Sequence, residues 1–352
     1  MRYIVAMDSF KGSLTSEEAG KAVADNLKSH DEEAEIKVLS VSDGGEGMLD
    51  AFCKATHATL LSVLTRDALM RRIEAQYAMT PDGTAIIEVA QACGLMHIEH
   101  EQRNPMRTTS YGVGLLVADA LRHNCHKMII GLGGSATSDA GIGMLRALID
   151  TFAPEDHFNA IRPLFDNCEV ILASDVTNPL YGINGAAHVF AKQKGATSSM
   201  IETLDARAKQ FALHTKRAMG FDKSMQPGAG AAGGLGYAFM QFLNAEMQSG
   251  AELLLHLLQF DKLLAHADIV ITGEGKSDCQ TLMGKLPAVI MQHARQHHLL
   301  TLLLSGQIED HDSLITAGFK AACAVKPSDM PLEEAMIPEK AKANIRDFPL
   351  PI

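Results

Sequence analysis

Apolar runs of strand length alternate with helix-like patterns at both ends of the chain. Near the N-terminus, residues 2–7 predict a buried strand, and Thr15 with Glu18 three residues later forms a capping box that begins a helix. Residues 36–41 predict a second strand, which a helix follows. Late in the chain, three more predicted strands alternate with helices, at residues 268–272, 300–304 and 321–325. Strands that alternate with helices form parallel sheets with right-handed crossovers.

The pattern changes after residue 57. Residues 73–79 and 84–89, joined by Pro81-Asp82-Gly83, predict an antiparallel hairpin. The elements predicted beyond the hairpin are strands at 127–130 and 169–173 and helices at 111–122, 142–149 and 199–219. Antiparallel and parallel signals together predict a mixed sheet in this middle region.

These patterns predict an α/β fold with two domains. We expect a discontinuous flavodoxin-like domain, a doubly wound parallel sheet built from residues 1–57 and 259–352, with a second mixed α/β domain inserted at residues 58–258. The five strands outside the insertion complete the flavodoxin-like order 2-1-3-4-5. In that order the topological switch lies between the first strand and the third, so we expect ligand to bind where those two strands end.

Composition narrows the function classes. The 352 residues are 47% hydrophobic and 21% charged, which is ordinary for a folded globular chain, and the net charge of −11 disfavours nucleic acid as a partner. Apolar runs fall far short of the roughly 20 residues that span a bilayer, so we expect no membrane segment. The six cysteines form no Cys-x-x-Cys pair, which argues against a zinc ribbon or a disulfide framework. We expect a cytoplasmic protein with reduced thiols.

The loop after the first strand carries Asp8, Ser9 and Lys11 just before a helix. Free backbone N–H groups and the helix dipole favour an anion there, and Lys11 adds a positive charge. An ordinary polar loop, with Ser13 or Thr15 as the helix cap, is the alternative.

The loop after the second strand, Asp43-Gly44-Gly45-Glu46-Gly47, combines two carboxylates with three glycines. Glycines allow close backbone approach, and the carboxylates can hold Mg²⁺ or accept a hydroxyl proton. A simple tight turn is the alternative.

The two loops richest in small residues lie in the middle region, at residues 131–141 and 227–236. Gly131, Gly133 and Ala136 match the dinucleotide fingerprint only weakly, because a second strand ending in an acid is missing. A cradle for a phosphate or carboxylate is the better interpretation. For residues 227–236, an anion-binding helix start and close helix packing remain equally open.

Residues 273–278, Gly-Glu-Gly-Lys-Ser-Asp, end in a sequence reminiscent of a P-loop. A true P-loop needs glycine at position 270, which is Val270. We expect a loop at the switch point that carries Glu274, the cation Lys276 and the metal-capable Asp278, with a solvated charged turn as the alternative.

Asp175 and Asn178 follow the strand at 169–173. A carboxylate just past a strand end suits a general base or a metal ligand, whereas an Asx turn before Pro179 is the commoner explanation. Several cradles, carboxylates and two loop lysines together favour phosphoryl transfer.

These segments resemble the motifs of the type I glycerate kinase family, in the right order along the chain. The matching segments are Asp8-Ser9-Phe10-Lys11, Asp43-Gly44-Gly45-Glu46-Gly47, Gly133-Gly134-Ser135-Ala136-Thr137, Asp175-Val176-Thr177-Asn178-Pro179, residues 228–234 and Thr272-Gly273-Glu274-Gly275. The resemblance implies ATP-dependent phosphorylation of D-glycerate. Lys276 stands where the family usually has arginine, and Ser277 where it has an aliphatic residue. An NAD-dependent oxidoreductase and a non-catalytic sugar-acid binding protein are the rival interpretations.

We assign roles as hypotheses. Asp175 is the candidate general base, Lys11 and Lys276 stabilise charge on the transferring phosphate or the glycerate carboxylate, and Asp43 and Asp278 support Mg²⁺. The candidate residues for binding substrate or phosphate are Asp8, Ser9, Gly44, Gly45, Glu46, Gly133, Gly134, Ser135, Thr137, Asp139, Asn178, Gly228, Gly230, Gly233, Gly273, Glu274 and Gly275. ATP, D-glycerate and Mg²⁺ are the expected ligands, and 2-phosphoglycerate is favoured over 3-phosphoglycerate as the product.

Overall fold

The computed structural model describes residues 1–42, 44–45, 47–153 and 160–351. The chain divides into two compact units, Met1–Asp43 with Ala251–Ile352 (unit 1) and Gly44–Gly250 (unit 2). Our sequence-based boundaries lay after residues 57 and 258. Relative to that expectation, residues 44–57 belong to unit 2, and residues 251–258 belong to unit 1.

The described residues form these elements in chain order. The strands are β1 (Arg2–Met7), β2 (Glu35–Val38), β3 (Thr59–Arg66), β4 (Arg72–Met79), β5 (Thr84–Glu88), β6 (Lys127–Gly131), β7 (Glu169–Ala173), β8 (Glu246–Gln248), β9 (Ile269–Ser277), β10 (Leu300–Ile308) and β11 (Ala321–Ala324). The helices are α1 (Ser16–His30), α2 (Met48–Thr56), α3 (Ala90–Cys93), α4 (Tyr111–Arg122), α5 (Ile142–Phe152), α6 (Ala186–Phe190), α7 (Ser198–Met219), α8 (Ala231–Phe242), α9 (Gly250–Leu257), α10 (Phe260–Leu264), α11 (Leu286–Gln296), α12 (His311–Ala317), α13 (Leu332–Ala335) and α14 (Pro338–Arg346). Short 3-10 turns lie at Leu95–His97, His100–Gln102, Arg162–Phe165, Lys192–Lys194 and Thr281–Met283.

Unit 1 contains a five-stranded parallel sheet in the order β2-β1-β9-β10-β11. Counted within the unit, this is the predicted flavodoxin-like order 2-1-3-4-5, so the predicted fold class is confirmed. Val5, Met7, Ile271 and Leu304 form the core on one face of the sheet, together with α1. The switch point lies between β1 and β9, where Met7 pairs with Gly273.

Strand β9 is longer than the sequence pattern predicted. Residues 273–277, expected to form a loop, continue β9 and pair with β10 as far as Ser277 opposite Ile308. Glycines and charges are typical of loops, but the backbone of β10 supplies hydrogen-bonding partners along the whole segment. The loop prediction for these residues was therefore wrong, and Glu274 and Lys276 project from a strand.

Helix α1 has the predicted capping box, in which Thr15 and Glu18 cap one another's backbone N–H groups. Its buried Asn26 donates hydrogen bonds to the carbonyl oxygens of Ile345 (2.9 Å) and Phe348 (2.7 Å). These bonds fix the C-terminal helix α14 against α1.

Unit 2 contains a six-stranded mixed sheet in the order β3-β4-β5-β6-β7-β8. Strands β3, β4 and β5 pair antiparallel, whereas β5 to β8 are parallel. The predicted hairpin of β4 and β5 is confirmed, but β3 and β8 were not predicted. Tyr77, Ile87, Ile130, Leu172 and Phe239 are among the residues of its large core.

Candidate active site

In unit 1, a cavity of about 430 Å³ lies at the carboxyl ends of β1 and β9. Ligands of doubly wound sheets bind at this position. The cavity thus lies where the strand order led us to expect a ligand site. Seven of the predicted site residues line it: Asp8, Ser9, Lys11, Glu274, Gly275, Lys276 and Asp278. Gly273 lies one residue earlier in β9, where its carbonyl oxygen accepts a hydrogen bond from the Asp8 N–H at 2.8 Å.

Five polar residues that the sequence analysis did not single out also line the cavity, namely Gln280, Lys285, Gln307, Lys326 and Asn344. Lys326 follows the carboxyl end of β11 by two residues, and that position could have identified it. Lys285 and Asn344 carried no comparable signal, because Lys285 lies just before α11 and Asn344 lies in α14, and the sequence pattern does not reveal where these helices pack.

The charged side chains of the cavity are held by neighbours. Lys276 Nζ lies 2.9 Å from Glu309 Oε1, and this hydrogen bond raises the pKa of Lys276. Glu274 is buried, accepts hydrogen bonds from the hydroxyls of Ser277 (3.0 Å) and Thr281 (2.6 Å), and lies 3.6 Å from Lys285 Nζ. Lys276 therefore keeps its positive charge, and Glu274 holds the cavity wall together.

The cavity contains carboxylates that suit Mg²⁺. This ion prefers oxygen ligands and commonly uses one or two carboxylates together with substrate phosphates. Asp278 and Asp8 both line the cavity. In the described part of the chain no group of three or more His, Cys, Asp or Glu residues could hold a metal ion. The donor set fits an ion that arrives with a phosphorylated ligand. Asp43 and Glu46, also predicted for the site, lie outside the described residues.

In unit 2, glycine-rich loops meet at the carboxyl ends of β5, β6 and β7. The Gly133 N–H donates to the Gly44 carbonyl oxygen at 3.3 Å, and a Cβ on Gly133 would lie 2.3 Å from Gly45 Cα. A Cβ on Gly44 would lie 2.6 Å from the Ala173 carbonyl oxygen. Gly44 and Gly133 are required for this close contact between backbones. The weak dinucleotide match loses its structural basis, because Gly133 faces protein.

A buried lysine that the sequence did not indicate holds the loop at 131–141. Lys194 Nζ donates to Ser135 Oγ at 3.1 Å and to the Thr137 carbonyl oxygen at 2.7 Å. Burial lowers the pKa of Lys194 to about 8, although Cys93 and Asp139 act in the opposite direction. Lys194 thereby positions two predicted ligand-binding residues. The neighbouring Gly134, also a predicted ligand residue, has a left-handed φ of 72°.

The carboxylate of Asp139 is surrounded by hydrogen-bond donors of the protein. Its carboxylate accepts hydrogen bonds from both the N–H (2.8 Å) and the hydroxyl (2.9 Å) of Ser110. It also accepts from the N–H groups of Gly141 and Gly143, each at 3.1 Å, and from the Thr109 hydroxyl at 3.3 Å. With five donors, this carboxylate satisfies free N–H groups at the starts of α4 and α5. Its negative charge would repel a phosphate. The predicted role of Asp139 in binding substrate or phosphate stays a prediction, and these contacts do not support it.

The glycines of residues 227–236 pack against neighbouring loops. A Cβ on Gly233 would lie 1.9 Å from the Thr137 carbonyl oxygen, and one on Gly230 would lie 2.3 Å from that of Pro179. A Cβ on Gly228 would lie 2.3 Å from Met247 Cε. Of the two alternatives left open, the geometry favours close packing.

Asp175 and Asn178 follow β7, as predicted. Asp175 is half-buried, and the preceding Ser174 N–H pairs with the Gln248 carbonyl oxygen at 3.1 Å. Asn178 donates its side-chain amide to the Asn184 carbonyl oxygen at 2.8 Å. This bond ties the loop after β7 to residue 184.

Comparison with known proteins gives a consistent result. The model of the Glycerate kinase family matches residues 3–158 and 154–349. Glycerate kinase from Bacillus subtilis and glycerate 2-kinase from Escherichia coli are each 36% identical over 95% of this chain and 93% of theirs. A crystal structure named for glycerate kinase 2 from Salmonella typhimurium LT2 is 34% identical, has a TM-score of 0.77 and covers 98% of this chain and 95% of its own. Separately, no helix in the described residues has both the length and the apolar character that crossing a bilayer requires.

Proposed function

Because the chain belongs to the glycerate kinase family, we propose that it catalyses the ATP-dependent phosphorylation of D-glycerate, with 2-phosphoglycerate as the product. The match to the family over nearly the whole chain is the observation that carries this proposal and confirms the resemblance seen in the motifs. The 36% identity to a glycerate 2-kinase supports the 2-hydroxyl as the acceptor.

In the proposed reaction the 2-hydroxyl oxygen of glycerate bonds to the γ-phosphorus of ATP. The bond from that phosphorus to the bridging oxygen breaks, and ADP leaves with the electron pair. Asp175 accepts the hydroxyl proton as the new bond forms, because an alcohol is a poor nucleophile at neutral pH. Its place just past the end of β7 supports this role.

Cationic side chains stabilise the charge that develops during transfer. Lys11 and Lys276 line the same cavity and contact the transferring phosphate or the glycerate carboxylate. Loss of one such cation costs a few kcal/mol of transition-state stabilisation. Asp278 would hold Mg²⁺, with Asp43 as a second supporting carboxylate. When bound, the ion supplies charge neutralisation on the β and γ phosphates.

A coupled assay tests the proposed reaction. Purified protein is incubated with ATP, Mg²⁺ and D-glycerate, ADP release is followed, and the product is identified by phosphorus NMR. We expect ADP formation that requires D-glycerate, together with the 2-phosphoglycerate resonance. Absence of glycerate-dependent ADP release by the folded protein overturns the activity, whereas a 3-phosphoglycerate resonance overturns only the choice of hydroxyl.

The role of Asp175 is tested by substituting Asp175→Asn. An asparagine keeps the shape but accepts no proton, so we expect kcat to fall by at least about a hundredfold with little change in the KM for ATP. The matched control is Asp166→Asn, an exposed aspartate before the opposite end of β7. If excess Mg²⁺ restores the activity of the Asp175→Asn variant, Asp175 is a metal ligand instead of the base.

A further inference from the structure

Besides the carboxylates of Asp8, Glu274 and Asp278, the lining of the unit 1 cavity contains two chemically different sets of side chains. One set is cationic and consists of Lys11, Lys276, Lys285 and Lys326. The other set, which we call the apolar wall, consists of Phe10, Val325, Leu332, Ala335, Met336 and Ala341. A small hydrophilic acid such as glycerate would use only the cationic part. The pairing of an apolar surface with several cations instead suits a ligand that has both a flat ring and several negative charges.

Apart from Phe10, the apolar wall comes from the C-terminal segment. Leu332 and Ala335 belong to α13, and Ala341 to α14. Lys326 Nζ donates to the carbonyl oxygens of Pro327 (3.0 Å) and Met330 (2.9 Å), which shapes the turn into α13. With Asn26 bound to the end of α14, the wall is fixed at both ends.

Asn344 is a polar side chain beside this apolar wall. Its amide nitrogen lies 3.4 Å from Met330 Sδ, which is a weak acceptor. A carboxamide offers one donor and one acceptor side by side. Adenine presents the complementary pair, an exocyclic N–H₂ beside a ring nitrogen, whereas the corresponding edge of guanine presents two acceptors. At the edge that contains N7, Asn344 therefore suits adenine better than guanine.

From these observations we infer that the unit 1 cavity is the nucleotide site, with the adenine ring against the wall of α13 and α14, Asn344 at its edge and the phosphates toward the lysines. This inference rests on the proposed function, because it names which part of the chain takes the phosphoryl donor. It assigns nucleotide specificity to residues 326–348, which lie outside the six motifs that suggested the family.

Two substitutions test the assignment. Asn344→Leu removes the donor and acceptor but keeps the size of the side chain, and Ala335→Phe fills the apolar wall. The control is Arg346→Ala, which removes an exposed side chain on α14 that pairs with the adjacent Asp347. For each variant we would measure kcat and KM with ATP and with GTP, the KM for D-glycerate, and the Kd of ADP by calorimetry without glycerate. Circular dichroism and thermal melting establish that each variant is folded.

We expect the preference for ATP over GTP in kcat/KM to fall about tenfold in Asn344→Leu, because one good pair of hydrogen bonds to the base is lost. In Ala335→Phe we expect the KM for ATP and the Kd of ADP to rise at least about tenfold, because the phenyl ring occupies the space of the base. The KM for D-glycerate stays within about twofold of wild type in both variants, and Arg346→Ala matches wild type throughout.

Several results would overturn the inference. Unchanged ATP and ADP constants in folded Ala335→Phe would exclude the apolar wall, and equal use of ATP and GTP by the wild type would remove the role of Asn344. A raised KM for D-glycerate with an unchanged ADP Kd would assign the cavity to the acceptor. Failure of the proposed function looks different. Wild-type protein would then bind ADP, and lose that binding in Ala335→Phe, without any glycerate-dependent turnover.

Discussion

Lys194 has a fully buried ammonium group that donates hydrogen bonds to two neutral oxygens, Ser135 Oγ and the Thr137 carbonyl oxygen. Burying a charge is costly, and this burial lowers the pKa of Lys194 from 10.5 to about 8 despite the opposing effect of Asp139. The loop at 131–141 is thus held by a group whose charge depends on pH. This arrangement gives a stability prediction with a definite sign.

The folded protein binds the Lys194 proton less tightly than the unfolded chain does. Between pH 8 and 10.5 the unfolded state therefore carries more protons, so the free energy of unfolding rises with pH in that interval. We expect the free energy of unfolding of wild type, relative to that of a Lys194→Met variant, to increase by about 2 kcal/mol between pH 7 and pH 10. Urea unfolding of both proteins at each pH measures the difference.

Lys192→Met is the control, because Lys192 is exposed and lies in the same 3-10 turn. Its difference from wild type should stay constant between pH 7 and pH 9, because its exposed side chain carries no cost of burial. If the Lys194→Met difference is equally flat, the ammonium group is better solvated than its burial implies.

For single residues, the sequence predicted where a side chain lies in the fold better than it predicted which atoms that side chain contacts. Ser135 and Asp139 both lie in the small-residue loop after β6, where the sequence placed a cradle. Asp139 caps helices because its carboxylate is surrounded by N–H and hydroxyl donors from α4 and α5, and those contacts depend on tertiary packing. Lys194 was missed for the same reason, since its burial results from distant loops that close over it.

Helices α9, α10 and α11 of unit 1 are joined by a cluster of titratable side chains. His293 on α11 lies 2.9 Å from Asp261 on α10 and 3.1 Å from Glu252 on α9, and His297 also reaches Asp261 at 3.2 Å. Burial by itself lowers the pKa of His293, but the hydrogen bonds to Asp261 and Glu252 together outweigh it and raise the pKa above the usual 6.5. The cluster holds these helices together most strongly when His293 is protonated.

A folded-state pKa above the unfolded value means that the contribution is complete below about pH 6.5 and is lost as the pH rises through the folded pKa. We expect wild type to exceed His293→Gln in the free energy of unfolding by about 1 kcal/mol more at pH 6 than at pH 8.5, the size of a partly exposed ion pair. Denaturant titrations at both pH values measure this change.

The matched variant is His256→Gln, which alters an exposed histidine on α9. Its effect should be the same at pH 6 and pH 8.5 to within the error of the titration. A pH-independent loss in His293→Gln would assign this residue a packing role against Phe260, whose ring centroid is 6.0 Å away.

Helices and strands were predicted in full where the hydrophobic residues follow one regular spacing, either that of a helix or that of a strand. Helix α4 begins and ends at the predicted residues 111 and 122, and β7 at 169 and 173. Strand β9 was cut short because Gly273 and Gly275 resemble loop residues, and their strand conformation depends on pairing with β10. Strand β3 was missed because it is an edge strand that leaves Leu60 and Leu64 exposed, which disturbs the usual alternation.

At the scale of the molecule, the topology followed from counting strands, but the domain boundary did not. Helix α2 follows β2 in sequence, and the pattern suggested that it completes a βα unit of the first domain. Instead its N-terminal Leu49 N–H donates to Glu88 of β5 at 3.1 Å, and Met48 and Phe52 are fully buried. These contacts assign α2 to unit 2, and they involve residues about 40 positions apart in sequence, which a local pattern cannot report.

This assignment predicts that residues 44–250 fold when expressed alone. The segment is continuous and contains a complete six-stranded sheet and its own large core. A fragment of residues 58–258, which follows the boundaries expected from sequence, lacks α2 and therefore exposes apolar surface beside β5. Deleting two fully buried side chains such as Met48 and Phe52 costs several kcal/mol, comparable to the whole stability of a domain. We expect a cooperative thermal transition for 44–250 and a weak or absent one for 58–258, both followed by circular dichroism. Equal stability of the two fragments would show that α2 contributes little to unit 2 and would favour the earlier boundary.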